Sequence, residues 1–281
     1  MDRNSINCSI EQNRSKSMTR YLAALTLSLF LGLTAFTGVV RAADKIPDYI
    51  TAAVADPGRP AADRESDPNR KPAEVLAVIG VRPGQTVIDL IPGSGYFTRI
   101  LSKAVGPKGH VYGVWPAGAS EKAISASKEI AADPAYSNVT IVEQPLLPAR
   151  AEDGQQIVDW TWKAPPVDIV FNSRNYHDFH NMKSIDIAML NKGMLAALKP
   201  SGVYVVIDHA ANPWTGFGDT NSMHRIDAEA VKPEVEGAGF VLAKESDVLK
   251  RSDDPHTAKI FDPAIRGKTD QFMLIFKKAK K

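Results

Sequence analysis

The chain is poor in cysteine, with Cys8 the only one in 281 residues. It also has almost no charge excess, since 34 basic side chains face 32 acidic ones. No internal repeat and no low-complexity tract interrupts it. Each shortage excludes a class. A chain with one cysteine has no intramolecular disulfide and no cysteine-built metal site, so its fold must rest on a packed core. Without a basic patch there is no footing for a nucleic-acid polyanion. A long apolar run occurs only over residues 21–40. It follows Arg14, Lys16 and Arg20 and precedes Val40-Arg41-Ala42, which is the pattern of a secretory signal peptide. Met18 offers a start that would give this leader ordinary length. An uncleaved membrane anchor is the alternative for a run of this size. The threonines and glycines within it, and the alanines after Arg41, favour cleavage. The expected address is the periplasm or beyond the cell, with residues 1–42 removed and no stable membrane span left. Cys8 leaves with them, as do five basic and two acidic residues, so 29 basic face 30 acidic side chains in the remainder.

What the chain does have is alternation. Residues 43–71 are polar and broken by Pro47, Pro57, Pro60 and Pro68, and read as an N-terminal arm with a short helix over 48–55. Over 72–281, short apolar runs alternate with stretches of helical spacing. That pattern predicts one α/β domain with a doubly wound, mostly parallel sheet and helices on both faces. Helices are expected over 72–79, 96–105, 120–132, 181–198 and 227–238, the last capped by Asp227. Strands are expected over 87–91, 110–115, 139–142, 167–171, 203–208, 240–248 and 271–277. Residues 146–165 are irregular, and 157–162 read either as a helical turn or as an extended apolar segment. The polar stretch with Arg251, Asp253, Asp254 and residues 266–270 reads as a solvated hairpin, with closure over a crevice as the alternative.

The organising stretch is Val87-Ile-Asp-Leu-Ile-Pro-Gly-Ser-Gly-Tyr-Phe-Thr98. A buried strand, a glycine turn and a helix build a ligand crevice at the carboxyl edge of a parallel sheet. There glycine lets the backbone approach a ligand, and the helix N-terminus favours negative charge. With Val167-Asp-Ile-Val-Phe-Asn172, Leu198-Lys-Pro-Ser-Gly-Val-Tyr-Val-Val-Ile-Asp208 and Ala238-Gly-Phe240, this stretch resembles the class I S-adenosylmethionine-dependent methyltransferases. It is similar in particular to a group of exported bacterial members. The resemblance runs from about residue 72 to residue 277, most of the chain that remains after the leader. It implies a seven-stranded, Rossmann-like sheet whose last strand is antiparallel, S-adenosylmethionine as cofactor, and a small-molecule substrate. Asp89, Gly93, Ser94, Gly95, Trp115, Gln144 and Asn172 stand where the family binds its cofactor.

Three of these neighbourhoods depart from the family pattern. Ile91 replaces a usual glycine; a β-branched residue avoids positive φ, so the strand is expected to run one residue longer. Trp115 replaces a ribose-binding carboxylate and has no acceptor to offer, leaving it either a face for adenine or a wall residue packed on Pro116. Gln144 stands near the usual acidic partner of the adenine amino group.

Histidines gather on the same sheet edge. His177 and His180 follow the fourth strand, Asp208-His209 ends the fifth, and His224 lies just before the next helix. His177 or His209, oriented by Asp178 or Asp208, suits acid–base work because imidazole titrates near neutrality. His177, His180, His209 and Asp208 also form a conceivable metal set, but no metal is expected from so common a spacing. The bland alternative is that Asp178 or Asn181 caps the following helix and the histidines bond to loops. Two functions compete: methyl transfer, catalysed through His177, Asp178 and His209, or a methyltransferase fold that has lost the cofactor and binds or hydrolyses another small ligand at the His/Asp group. The oligomeric state is open.

Overall fold

Val87, Ile88 and Leu90 are buried, and an apolar run covered on both faces makes a central parallel strand. It does so as β1 (Thr86–Leu90) in the computed structural model, which describes residues 45–144, 149–150, 156–157, 160–183 and 185–280. The expected leader and parts of the irregular stretch 146–165 lie outside the described residues. Parallel strands flank β1 on both sides, β2 (His110–Pro116) and β6 (Val167–Ser173). Beyond them lie β3 (Val139–Gln144) and β7 (Leu198–His209), also parallel. The final strand, β9 (Gln271–Lys278), runs antiparallel between β7 and β8 (Phe240–Ser246). The order β3-β2-β1-β6-β7-β9-β8 therefore has one reversed strand, as the resemblance implied. A separate two-stranded ribbon joins β4 (Ala149–Arg150) to β5 (Gln156–Ile157).

The pleat sends alternate residues of β1 to two cores. On the Val87 side pack α1 (Asp48–Val54), α3 (Pro72–Ile79) and α4 (Tyr96–Val105), through Ile50, Val75, Leu76, Ile100 and Leu101. α5 (Glu121–Ala132) adds Ile130 to that core. On the Ile88 and Leu90 side lie α6 (Tyr176–Phe179), α7 (Ile187–Ala197) and α8 (Ala228–Glu236), through Phe179, Leu190, Met194, Val231 and Val235. The stop at Gly80 (φ 77°) and the Asp227 cap on the Glu229 amide at 2.9 Å are as the sequence predicts.

Three expectations are corrected. The arm is more structured than its prolines suggest, because α2 (Ala61–Arg70) forms with Pro68 inside it. Its anchor is Arg59, fully buried and bonded through both terminal nitrogens to Asp67 at 2.7 and 2.9 Å. The helix expected over 181–198 starts later. Asn181 spends its amide group on Thr220 of another loop, donating to the carbonyl and accepting from the hydroxyl, and Asp186 caps α7 by accepting from the Met189 amide. Neither Asp178 nor Asn181 is that cap.

The third correction concerns residues 249–270, which are not a solvated hairpin. Arg225 and Asp254 are both fully buried as side chains and form a two-pronged ion pair at 2.9 and 3.0 Å. Arg225 also donates to the carbonyls of Ala210 and Ala258, and Asp254 accepts from the amides of Asp270 and His256. Burial opposes ionisation of Asp254, but Arg225 and those amides outweigh it and hold the carboxyl below its usual range. Asp254→Asn leaves a buried guanidinium without its counter-charge and is expected to lower stability by about 3 kcal/mol in urea unfolding. Hydrogen exchange is expected to rise in residues 210–226 and 249–270 together, and no change in either segment would contradict the clamp.

Candidate functional site

The strand does not continue through Ile91. It ends at Leu90, and Ile91 takes φ 52°, a conformation β-branched residues rarely adopt. Hydrogen bonds over-determine it. The Ile91 amide donates to the Val114 carbonyl at 2.8 Å, and its own carbonyl accepts from the Asn175 amide group at 3.0 Å. The missing glycine therefore leaves the turn in its left-handed shape.

The two glycines of the turn do different jobs. Gly95 (φ 79°) donates its amide to the Pro92 carbonyl, and a Cβ there would stand 2.0 Å from Ile130 Cδ1. It is a packing glycine, with no amide left for a ligand. Gly93 (φ 60°) faces open space, where a Cβ would meet nothing within 4 Å. Among the described residues the Gly93 and Ser94 amides have no partner, and both residues are exposed.

Behind the turn, Asp89 is buried and accepts from the Thr98 hydroxyl at 2.6 Å. Burial pushes its carboxyl up to about 6, against the opposing effects of Thr98 and Arg70. Arg70, at the end of α2, lies over the Tyr96 ring at 3.7 Å. Tyr96 is held in turn by a 2.5 Å bond to Asp67, so the arm and the glycine turn are locked together. Burial and the nearby Arg174 pull Arg70 down to about 9. Among the described residues, neither Arg70 nor Arg174 has a carboxylate within ion-pair distance.

These groups open into a cavity of about 360 Å³ at the carboxyl edge of β1, β6 and β7. Its lining includes Gly93, Ser94 and Arg70, the group His177, Asp178, His209 and His224, and Ile260 and Phe261. The last two come from the segment that Arg225 and Asp254 clamp. Three of the cavity's residues, Ile91, Arg174 (φ 64°) and His224 (φ 54°), have left-handed backbones. Such conformations cost about 1–3 kcal/mol each and concentrate where a site needs fixed geometry.

Asp208 organises the histidine side. Its buried carboxylate accepts from the His177 amide (2.8 Å), His177 Nδ1 (2.8 Å) and the His209 amide (2.7 Å). His177 Nδ1 thus carries a proton toward Asp208, and Nε2 faces the cavity. Burial alone would lower the His177 imidazole, but Asp208 and Asp178 outweigh it and push it up to about 10. His209 goes the other way, lowered by burial, Arg174 and His177, with Nδ1 2.7 Å from the Thr269 hydroxyl.

The structure brings Gly93, Ser94, His177, Asp178 and His209 into one cavity. Asp89, Gly95 and Asn172 are buried and do not line it. Trp115 and Gln144 lie elsewhere. Trp115 is buried, and its indole donates to Ser127 at 3.1 Å; Ser127 bonds to the Gly93 carbonyl, so Trp115 props the turn from behind. Gln144 is buried and donates to the Thr161 carbonyl. The imagined metal set is not assembled either: His180 turns to Glu234 at 3.1 Å and stacks on Phe217, leaving the cavity to His224. Sequence reasoning missed Arg70, Arg174 and Asn175 as wall residues. For Arg70 the available signal was its place at the end of a polar helix just before Pro72.

No family model matches the chain. A demethylmenaquinone methyltransferase of Staphylococcus aureus is 32% identical over 134 residues, which are 48% of this chain and 47% of that protein. The chain spans about half the length of the curated relatives it matches. A SAM-dependent methyltransferase from Aquifex aeolicus superposes with a TM-score of 0.51 at 20% identity, covering 78% of this chain and 97% of that one. The [4+2]-cyclase SpnF superposes equally well, at 17% identity over 79% of this chain and 83% of its own. With the observed strand order, these likenesses show a Rossmann-like methyltransferase fold.

Proposed function

We propose that this chain is an S-adenosylmethionine-dependent methyltransferase acting on a small-molecule acceptor. The observation that carries the reading is the shared cavity. It combines free amides, an open glycine and a guanidinium that has no carboxylate partner among the described residues with a His/Asp cluster. The first group fits a zwitterionic amino-acid end. Gly93 and Ser94 offer amides and Arg70 a charge for a carboxylate, while the buried Asp89 lies behind the turn as a counter-charge for an ammonium group. When bound there, the cofactor supplies a methyl group already activated on a sulfonium. The protein's tasks are to orient the acceptor and to manage the acceptor's proton at His177, Asp178 and His209. The relative matched over about half its length supports this reading through its printed activity. Export to the periplasm is part of the proposal, on the strength of the sequence pattern over residues 1–42.

The second reading, a fold that has exchanged its cofactor for another small ligand, is favoured by Trp115 and Gln144. Both are spent on internal hydrogen bonds where an adenine partner is expected. The likeness to a cyclase shows that this fold carries more than one chemistry. Calorimetry with S-adenosylmethionine and S-adenosylhomocysteine separates the two. Saturable binding that Arg70→Met weakens about 10–100-fold is expected, the value of a charge-assisted bond. No binding at millimolar ligand would sink the methyl-transfer reading.

Asp89 gives a pH test. Its carboxyl is raised in the folded protein, so the fold binds a proton that the unfolded chain releases, and stability from this group is lost as pH rises from about 4 to about 6. Asp89→Asn is therefore expected to gain stability relative to the parent over that interval, by up to about 3 kcal/mol at pH 7. At that pH it is expected to lose cofactor affinity. A stability difference that stays flat from pH 4 to 7 would show that the buried carboxylate is not strained.

A further inference from the structure

Three ligand-type atoms meet at the histidine wall in a nearly equilateral triangle. His177 Nε2 is 3.3 Å from His224 Nδ1 and 3.3 Å from Asp178 Oδ1, and the last two atoms are 3.5 Å apart. Hydrogen bonding accounts for only part of this. Nε2 of His177 has at most one proton to direct, and it is equidistant from two partners. A metal centre accounts for all three separations. Bonds of about 2.1 Å at tetrahedral angles put neighbouring donors about 3.4 Å apart.

We propose that His177 Nε2, His224 Nδ1 and Asp178 Oδ1 hold one divalent first-row transition cation, with its remaining coordination positions open to the cavity.

Four further observations fit. Two imidazoles and one carboxylate, with positions left open, form a donor set used for reactive rather than structural metals. The second layer is present as well: His177 Nδ1 donates to Asp208, which orients the ring so that Nε2 is the nitrogen an ion would meet and raises its basicity. The third ligand is delivered under strain, since His224 has a left-handed backbone and is followed at once by the buried anchor Arg225. The Phe261 ring packs edge-on against His224 at 4.8 Å, which limits its rotation.

Binding of the cation stands apart from the methyl-transfer reading, but its use rests on it. A cation here would take an acceptor hydroxyl as its next ligand and lower its pKa, so that the proton is lost to solvent on binding and the oxygen faces the Gly93 side of the cavity. His177 would then serve as a ligand and not as a base.

The test is a Co²⁺ titration of chelator-stripped protein purified without a histidine tag, followed by visible absorption and then by competition with Zn²⁺. One equivalent should bind with ligand-field bands, and Zn²⁺ should displace it. His224→Ala and Asp178→Asn should each abolish saturable uptake. Asp208→Asn should weaken it about 10–100-fold, as loss of an outer partner does elsewhere. His180→Ala should leave it unchanged. His224 and Asp178 are partly exposed, with side chains at 26% and 36%, so both variants are expected to fold, and circular dichroism checks this. Absence of saturable Co²⁺ and Zn²⁺ uptake by the parent protein would overturn the proposal, as would uptake that survives in both folded ligand variants. Because no cofactor is present in the titration, metal uptake without S-adenosylmethionine binding would count against the methyl-transfer reading alone.

Discussion

The site depends on one buried carboxylate. Asp208 has no solvent exposure, and an ionised carboxylate in such a place costs several kcal/mol unless its lone pairs are filled. Donors from two segments fill them. The His177 amide and ring come from α6, the short helix after β6, and the His209 amide comes from the end of β7 itself. Removing the charge would release the short helix that aims Nε2 into the cavity. The same carboxylate fixes the backbone of His177 and selects its tautomer, so position and chemistry are set by a single residue.

Much of the fold was legible because it is written in short-range periodicity. The β1 run, the 96–105 helix, the Gly80 stop and the Asp227 cap all follow from residues within one or two turns of each other. The parts misread are those decided by distant partners. Ile91 is forced into a left-handed conformation by Asn175, 84 residues away, against its own preference. Asp254 looks like a surface acid until Arg225 is placed beside it. The arm's prolines argue against a helix, yet the Arg59–Asp67 pair and the Tyr96 hydroxyl stabilise one. For the site, the sequence order identified the sheet edge and most of its histidines. It could not say that His180 turns outward to Glu234 while His224 turns in, because that choice rests on side-chain packing across loops.

The two halves of the cofactor-binding pattern have fared differently. The turn keeps an open Gly93 with amides that have no partner among the described residues, and a β-branched residue has been absorbed at Ile91 in a left-handed conformation. At the ends of β2 and β3, Trp115 and Gln144 serve the interior: one supports the turn through Ser127, the other bonds to Thr161. A tryptophan that holds a glycine turn from behind makes the turn stiffer.

The arm is also tied to the other end of the chain. Asn69 accepts from Arg251, and Lys71 donates to the Val248 carbonyl, across 182 and 177 residues. Arg70, between them, is thereby set over the cavity by contacts among the most non-local in the molecule. Loop closure of that span is entropically expensive and is satisfied late. The sheet can assemble while the cavity still lacks Arg70, so ligand competence should lag behind secondary structure during folding, and α2 should be among the last elements to settle.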